Sequence, residues 1–223
     1  LTGCAMETIF PHVQQASRRL LRRAGWEMLP SPRGCCGALH AHAGCAADAR
    51  KHLEKLTKNL PSDVTTITDS AGCGSHLKEA LTSHTVLDLS EALLLGGLEQ
   101  KLASAPGFEV TLTYHDACHL AHGQGIRKGP RDLLRAIPGV TLVELPESDM
   151  CCGSAGIYSF MHTNMATTLA RRKAENVKKT GASILVLGNP GCHSWLSGRT
   201  DGVRVMHLAE VLEMAFAAEL YGD

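Results

Sequence analysis

The sequence predicts an α/β fold of two tandem duplicated units, each a small parallel sheet flanked by helices with its cysteines at the carboxyl ends of the strands. Three observations predict it. One cysteine pattern occurs twice, strand-length apolar segments alternate with segments of helical period, and each cysteine group falls between a strand and the following helix.

Cys4 aligns with Cys118, Cys35-Cys36-Gly37 with Cys151-Cys152-Gly153, and Gly72-Cys73 with Gly191-Cys192, the offset drifting only from 114 to 119 residues. The last offset also lays Val86-Leu87-Asp88-Leu89-Ser90-Glu91 on Val205-Met206-His207-Leu208-Ala209-Glu210, a match that involves no cysteine. Eight of the nine cysteines divide four per half. Cys45 has no counterpart, since Met161 stands at its equivalent position, and it reads as a buried thiol. Gly96 to Phe108, with Gly97, Pro106 and Gly107, reads as a linker, which gives units over residues 1–104 and 105–223.

In the first unit, Ile9, Val13, Ala16 and Leu20 mark one helical face. Trp26 to Leu29 reads as a strand, Ala46 to Leu60 as a helix and Val64 to Thr68 as a strand. In the second, Val110 to Tyr114 is a strand, Arg131 to Ala136 a helix and Thr141 to Leu145 a strand. Ser159 to Lys179 follows as a long helix, Ser183 to Leu187 as a buried strand and Val203 to Val205 as an outer strand.

Composition narrows the function. Lys plus Arg and Asp plus Glu both number 22, so no net charge is left to hold a nucleic-acid backbone or an anionic lipid surface. Apolar runs such as Ile184-Leu185-Val186-Leu187 fall far short of the roughly 20 residues that cross a bilayer, so no transmembrane segment is expected. The opening residues Leu1-Thr2-Gly3-Cys4 show no signal peptide. An odd cysteine count with two adjacent pairs suits reduced, metal-binding thiols better than a disulfide framework. Gly123-Gln124-Gly125 lacks the further glycine of a dinucleotide fingerprint, and no phosphate-binding Gly-Lys-Ser/Thr occurs.

Eight thiols at helix amino termini make a coherent chemistry. Cys4, Cys35, Cys36 and Cys73 form one candidate ligand set, and Cys118, Cys151, Cys152 and Cys192 the other. The field of a helix amino terminus lowers a cysteine pKa and favours an anionic cluster. Gly37, Gly72, Gly153 and Gly191 are expected to line the cofactor, letting backbone approach closely and aim amide donors at sulfur. Iron–sulfur clusters and tetrahedral zinc both suit four thiolates, so residue types leave the metal open. His40, His42, His115, His119 and His122 lie near the cysteines as candidate donors to sulfur, against a reading as ordinary solvated or capping histidines. The basic residues Arg171, Arg172, Lys173, Lys178 and Lys179 read as a solvated helix face, with docking of a redox partner as the alternative.

The repeated Cys, Cys-Cys-Gly and Gly-Cys pattern resembles the cysteine-rich CCG domain family across nearly the whole chain. Gly34-Cys35-Cys36-Gly37-Ala38-Leu39-His40, His115-Asp116-Ala117-Cys118, Cys151-Cys152-Gly153-Ser154-Ala155-Gly156 and Gly188-Asn189-Pro190-Gly191-Cys192 resemble in particular the iron–sulfur subunits of glycolate dehydrogenases. Related subunits serve lactate utilisation, glycerol-3-phosphate dehydrogenase and heterodisulfide reductase. The fuller family pattern ends in Cys-x-x-Cys, but His76 and Trp195 stand at those fourth positions here. Trp195 cannot ligate a metal, whereas His76 is a candidate fifth donor in the first half. The family's subunits also carry two ferredoxin-type clusters ahead of this pair, so the chain reads as the C-terminal part of a longer subunit.

What the resemblance implies is electron relay. Two clusters, of the [4Fe-4S] type and one per half, would accept electrons from FAD-containing dehydrogenase subunits that oxidise glycolate or lactate. Zinc in one half is the alternative cofactor, and any FAD belongs to a partner. The expected setting is cytoplasmic and peripheral on the inner membrane through partners, with a membrane quinone pool as acceptor. Two other readings stand beside it: direct reduction of a disulfide at a cluster, and a zinc-bound docking module.

Overall fold

The structure, a computed structural model, describes residues 1–30, 33–58 and 60–217. In the first half the elements run β1 (Thr2–Gly3), α1 (Cys4–Thr8), α2 (Pro11–Arg23), β2 (Arg33–Gly34), α3 (Ala38–His42), α4 (Ala46–Thr57), β3 (Thr66–Thr68), α5 (Ala71–Ala80), β4 (Val86–Asp88), α6 (Leu89–Leu95) and α7 (Leu98–Ala103). The second half follows with β5 (Val110–Tyr114), α8 (Cys118–Ala121), α9 (Lys128–Arg135), β6 (Val140–Val143), α10 (Tyr158–Met161), α11 (Thr163–Thr180), β7 (Ile184–Leu187), α12 (Pro190–Leu196), β8 (Arg204–His207) and α13 (Leu208–Met214).

Every strand pair is parallel, which brings the carboxyl ends of the strands in each sheet to one edge. The second half forms one four-stranded sheet in the order β6-β5-β7-β8. Its central strand β7, Ile-Leu-Val-Leu, is buried throughout, as a strand covered on both faces must be. The first half forms two pairs, β1-β2 and β3-β4. The Leu1 amine donates to the Ile67 carbonyl at 2.6 Å, in the place where the His115 N–H donates to the Val186 carbonyl at 2.9 Å. The first half thus repeats the strand order of the second in shortened form.

Helix ends follow from local chemistry. Pro11 opens α2 where its missing N–H costs nothing, and Arg22 and Arg23 close it against the helix dipole. Gly181, with φ of +67°, ends α11 in the left-handed conformation that glycine adopts without strain. The duplication extends to capping. Asp88 caps α6 in a box with Glu91, and His207 caps α13 in a box with Glu210.

The main core joins the halves. Leu20, Leu93 and Leu98 of the first half pack with Leu112, Leu133 and Leu212 of the second in one buried cluster. Smaller clusters lie beneath each set of cysteines, one with Cys152 and Cys192 and the other with Cys36.

Five local expectations need correction. Ile9 is 56% exposed, because α1 ends at Thr8 and α2 begins only at Pro11, so Ile9 lies on neither helix's buried face. Trp26 to Leu29 forms no strand, and the strand hydrogen-bonded to β1 is Arg33–Gly34. The linker holds α7, whose Leu98 and Leu102 are fully buried. The long helix breaks at His162, whose φ of −130° and ψ of 52° lie outside the helical region. Cys45 is exposed, at the turn that opens α4, rather than buried.

Candidate metal centres

Each half brings four thiols together by the same construction. Cys4 opens α1 directly after β1, Cys35 and Cys36 follow β2, and Cys73 lies in the first turn of α5 after β3. In the second half Cys118 opens α8, Cys151 and Cys152 precede α10, and Cys192 lies in the first turn of α12. All nine cysteines, Cys45 included, are free thiols.

The sulfurs within each set lie near enough to shift one another's ionisation. In the first, Cys35 is drawn down to about 2 because it accepts from the Cys36 and Cys4 thiols. Cys36 and Cys4 are pushed up correspondingly, and Cys73, which also accepts from Cys36, is lowered. The second set repeats this. Cys151 is drawn down to about 2 by the Cys118 and Cys152 thiols, Cys118 and Cys152 are pushed up by Cys151, and Cys192 is lowered by Cys152. Thiols coupled in this way can exchange their protons for a metal.

Backbone supports the sulfurs. Gly37 N–H donates to Cys35 Sγ at 3.4 Å, and Gly153 N–H to Cys151 Sγ at 3.3 Å. Both glycines have positive φ, +87° and +96°. A Cβ on Gly37 would stand 2.6 Å from the Ala49 carbonyl, and one on Gly153 would stand 2.4 Å from the Ala166 carbonyl. Only glycine lets these turns approach the helices behind them. Gly72 directs its N–H to Asn189 Oδ1 at 3.1 Å, and Gly191 packs beneath Ser154.

The two centres are tied together. Asn189 Nδ2 reaches Cys192 Sγ at 3.5 Å while its Oδ1 holds Gly72, one residue before Cys73. Ala71 N–H donates to the Gly188 carbonyl at 3.1 Å, and Gln124 Nε2 to the Ala71 carbonyl at 3.1 Å. His42 of the first half stacks on His119 of the second at 4.4 Å between centroids, and His119 Nδ1 lies 3.7 Å from Cys118 Sγ.

A polar network surrounds the second centre. The Ser148 carbonyl accepts from His115 Nδ1 at 3.0 Å, Asp116 N–H at 3.1 Å and Lys173 Nζ at 3.2 Å. Arg131 grips Asp116 with two hydrogen bonds of 2.7 Å, which fixes the loop leading to Cys118. Lys173 is fully buried, and its pKa is lowered by that burial. Among the described residues, one group of three metal-binding donors lies within 4.8 Å of one another: His115, Cys152 and Cys192. His76 is in no such group, although its Nε2 is buried without a partner.

Sequence reasoning placed Lys173 on a solvated face and gave Asn189 and Ser148 no role. Lys173 had a readable signal, since Ala166, Ala170, Lys173 and Val177 share one buried helical face. Ser148 acts through its backbone carbonyl and leaves no mark in residue type. Soft thiolate donors with amides aimed at them, in two sets of four, fit an iron–sulfur cluster.

The family model for the cysteine-rich domain, CCG, matches residues 1–78 and 112–197. A fumarate reductase (CoM/CoB) component from Methanothermobacter marburgensis is 32% identical over 97% of this chain and 46% of its own length. The probable glycolate oxidase iron-sulfur subunit of Bacillus subtilis is 34% identical over 95% of this chain and 53% of its own. Lactate utilization protein A of Oceanobacillus iheyensis is 27% identical over 94% of this chain and 93% of its own. The chain therefore spans about half the length of the first two and most of the third. Since the two matched segments enclose both sets of four cysteines, the chain belongs to the cysteine-rich CCG domain family.

Proposed function

We propose that the chain is the electron-relay module of an iron–sulfur subunit, organised as repeat units 1–104 and 105–223. Cys4, Cys35, Cys36 and Cys73 would hold one cluster, and Cys118, Cys151, Cys152 and Cys192 the other, each of the [4Fe-4S] type. The observation that carries this reading is the convergence of eight cysteines from distant segments into two sets of four whose thiols shift one another's ionisation. A bound cluster supplies one-electron chemistry. The protein sets its potential through thiolate ligation, the amides of Gly37 and Gly153, and burial. Gly72 ties the helix bearing Cys73 to Asn189 through its N–H, and Gly191 lets the helix bearing Cys192 approach Ser154.

The electron donors would be FAD-containing dehydrogenase subunits that oxidise a 2-hydroxy acid. Relatives named for glycolate oxidase and lactate utilization support that class of substrate. No helix among the described residues is long and apolar enough to cross a membrane. The module would be cytoplasmic, a setting with which the free thiols accord, and would pass electrons through its complex to a membrane quinone pool. Zinc in one half is the rival occupant, since four thiolates suit it as well.

A potentiometric titration of the anaerobically loaded chain, followed by absorbance and EPR, tests the relay. Reversible one-electron steps within roughly −700 to +450 mV are expected. A chain silent across that range would contradict the proposal.

A further inference from the structure

We propose that His115 is a protein ligand of the second metal centre, its Nε2 bound to the metal held by Cys152 and Cys192. The assignment rests on the metal-centre reading above and adds a donor that the cysteine pattern does not contain. His115 is completely buried, one of its ring nitrogens lies within 4.8 Å of the Cys152 and Cys192 sulfurs, and Nε2 is buried with no hydrogen-bond partner. The other ring nitrogen fixes the tautomer. Nδ1 lies 3.0 Å from the Ser148 carbonyl, which can only accept, so Nδ1 carries the proton and in the neutral ring Nε2 presents a lone pair.

A buried, unpartnered lone pair on a ring beside two such sulfurs has no use once metal has displaced their protons, unless the nitrogen binds that metal. Metal-ligating histidines have this arrangement, with the second N–H held by a backbone carbonyl. Ser148 is held in turn by Asp116 N–H and Lys173, so the imidazole is oriented before any metal arrives.

The first half cannot repeat the arrangement. Leu1 occupies the equivalent position, its amine making the bond to Ile67 that the His115 N–H makes to Val186. The second centre is thus a mixed imidazole–thiolate site, and the first takes thiolates without a histidine at that place.

Nitrogen hyperfine spectroscopy by pulsed EPR on the anaerobically loaded, dithionite-reduced chain tests this, beside His115→Cys. A nitrogen coupling of the size given by a directly bound imidazole is expected in the native chain. It should vanish in His115→Cys, where a thiolate can take the place and iron and sulfide content should persist. Only weak, remote nitrogen coupling in the native chain would overturn the assignment, whether or not the variant loads metal. Where metal analysis finds zinc in the second half, zinc K-edge absorption reads the same point. Imidazole scattering is then expected in the native chain, and its absence overturns the assignment. Metal bound without imidazole refutes this ligand alone, whereas a chain that binds neither iron nor zinc refutes the relay reading.

Discussion

Asn189 Oδ1 accepts the Gly72 backbone N–H at 3.1 Å, joining the helix that bears Cys192 to the helix that bears Cys73. The same side chain donates to Cys192 Sγ. Asn189→Leu removes both bonds and leaves a half-buried N–H unpaired, at a cost of about 1–3 kcal/mol in urea unfolding. Loss of a donor to sulfur also disfavours the more negative, reduced cluster. The second centre's midpoint potential should fall, and an unmoved potential would show that Asn189 is structural only.

Gly37 and Gly153 should tolerate no side chain. Gly37→Ala and Gly153→Ala each add left-handed strain of about 1–2 kcal/mol to a collision with a helix carbonyl, so each should lose at least that much in thermal or chemical unfolding. Gly72→Ala is the control. Its Cβ would meet only Asn189 Oδ1 at 3.5 Å, and alanine is the better helix former by about 1 kcal/mol.

Lys173 makes the two centres electrostatically unequal. Gly153 abuts Ala166 as Gly37 abuts Ala49, a register that places Leu56 where Lys173 stands. Both side chains are buried, one basic and one apolar. Lys173→Met should lower the potential of the second centre and leave the first unmoved, as separate midpoints in a redox titration would show. Equal shifts in both would contradict this reading.

Asp88 and His207, the equivalent caps, carry opposite pH dependences. Burial holds His207 down to about 4 from 6.5. The unfolded chain is protonated there below 6.5 while the folded chain resists until about 4, so stability falls as the pH drops through that window, by about 3 kcal/mol at most. Burial lifts Asp88 from 3.8 to about 6, so between those values the folded chain takes the proton first and stability rises as the pH drops. His207→Asn keeps a capping side chain and removes the first effect. Between pH 6.5 and 4.5 the variant should lose about 2 kcal/mol less stability than the native chain by denaturant unfolding. Parallel pH profiles would contradict it.

The sheet of the second half was legible because its strands are long apolar runs, Val110 to Tyr114 and Ile184 to Leu187 above all. Trp26 to Leu29 has comparable apolarity yet forms no strand, because strand formation depends on a neighbour. Its counterpart β6 pairs with β5, whereas Trp26 to Leu29 has no strand beside it among the described residues. Leu98 and Leu102 were hidden by the flanking Gly97, Pro106 and Gly107, which mark turns on either side of a helix as readily as they mark a linker. The cysteine sets were readable from their repetition. His115, by contrast, looked like one of several histidines near Cys118, and only its burial and the Ser148 carbonyl set it apart.

The central claim is that both sets of four cysteines hold redox-active iron–sulfur clusters. Anaerobic purification with iron, acid-labile sulfide and zinc analysis, and an absorbance spectrum before and after dithionite, tests it most directly. Iron and sulfide near two clusters per chain, with a brown absorbance that bleaches on reduction, is the result predicted. Zinc without that absorbance would contradict the claim and leave the duplicated fold as it stands.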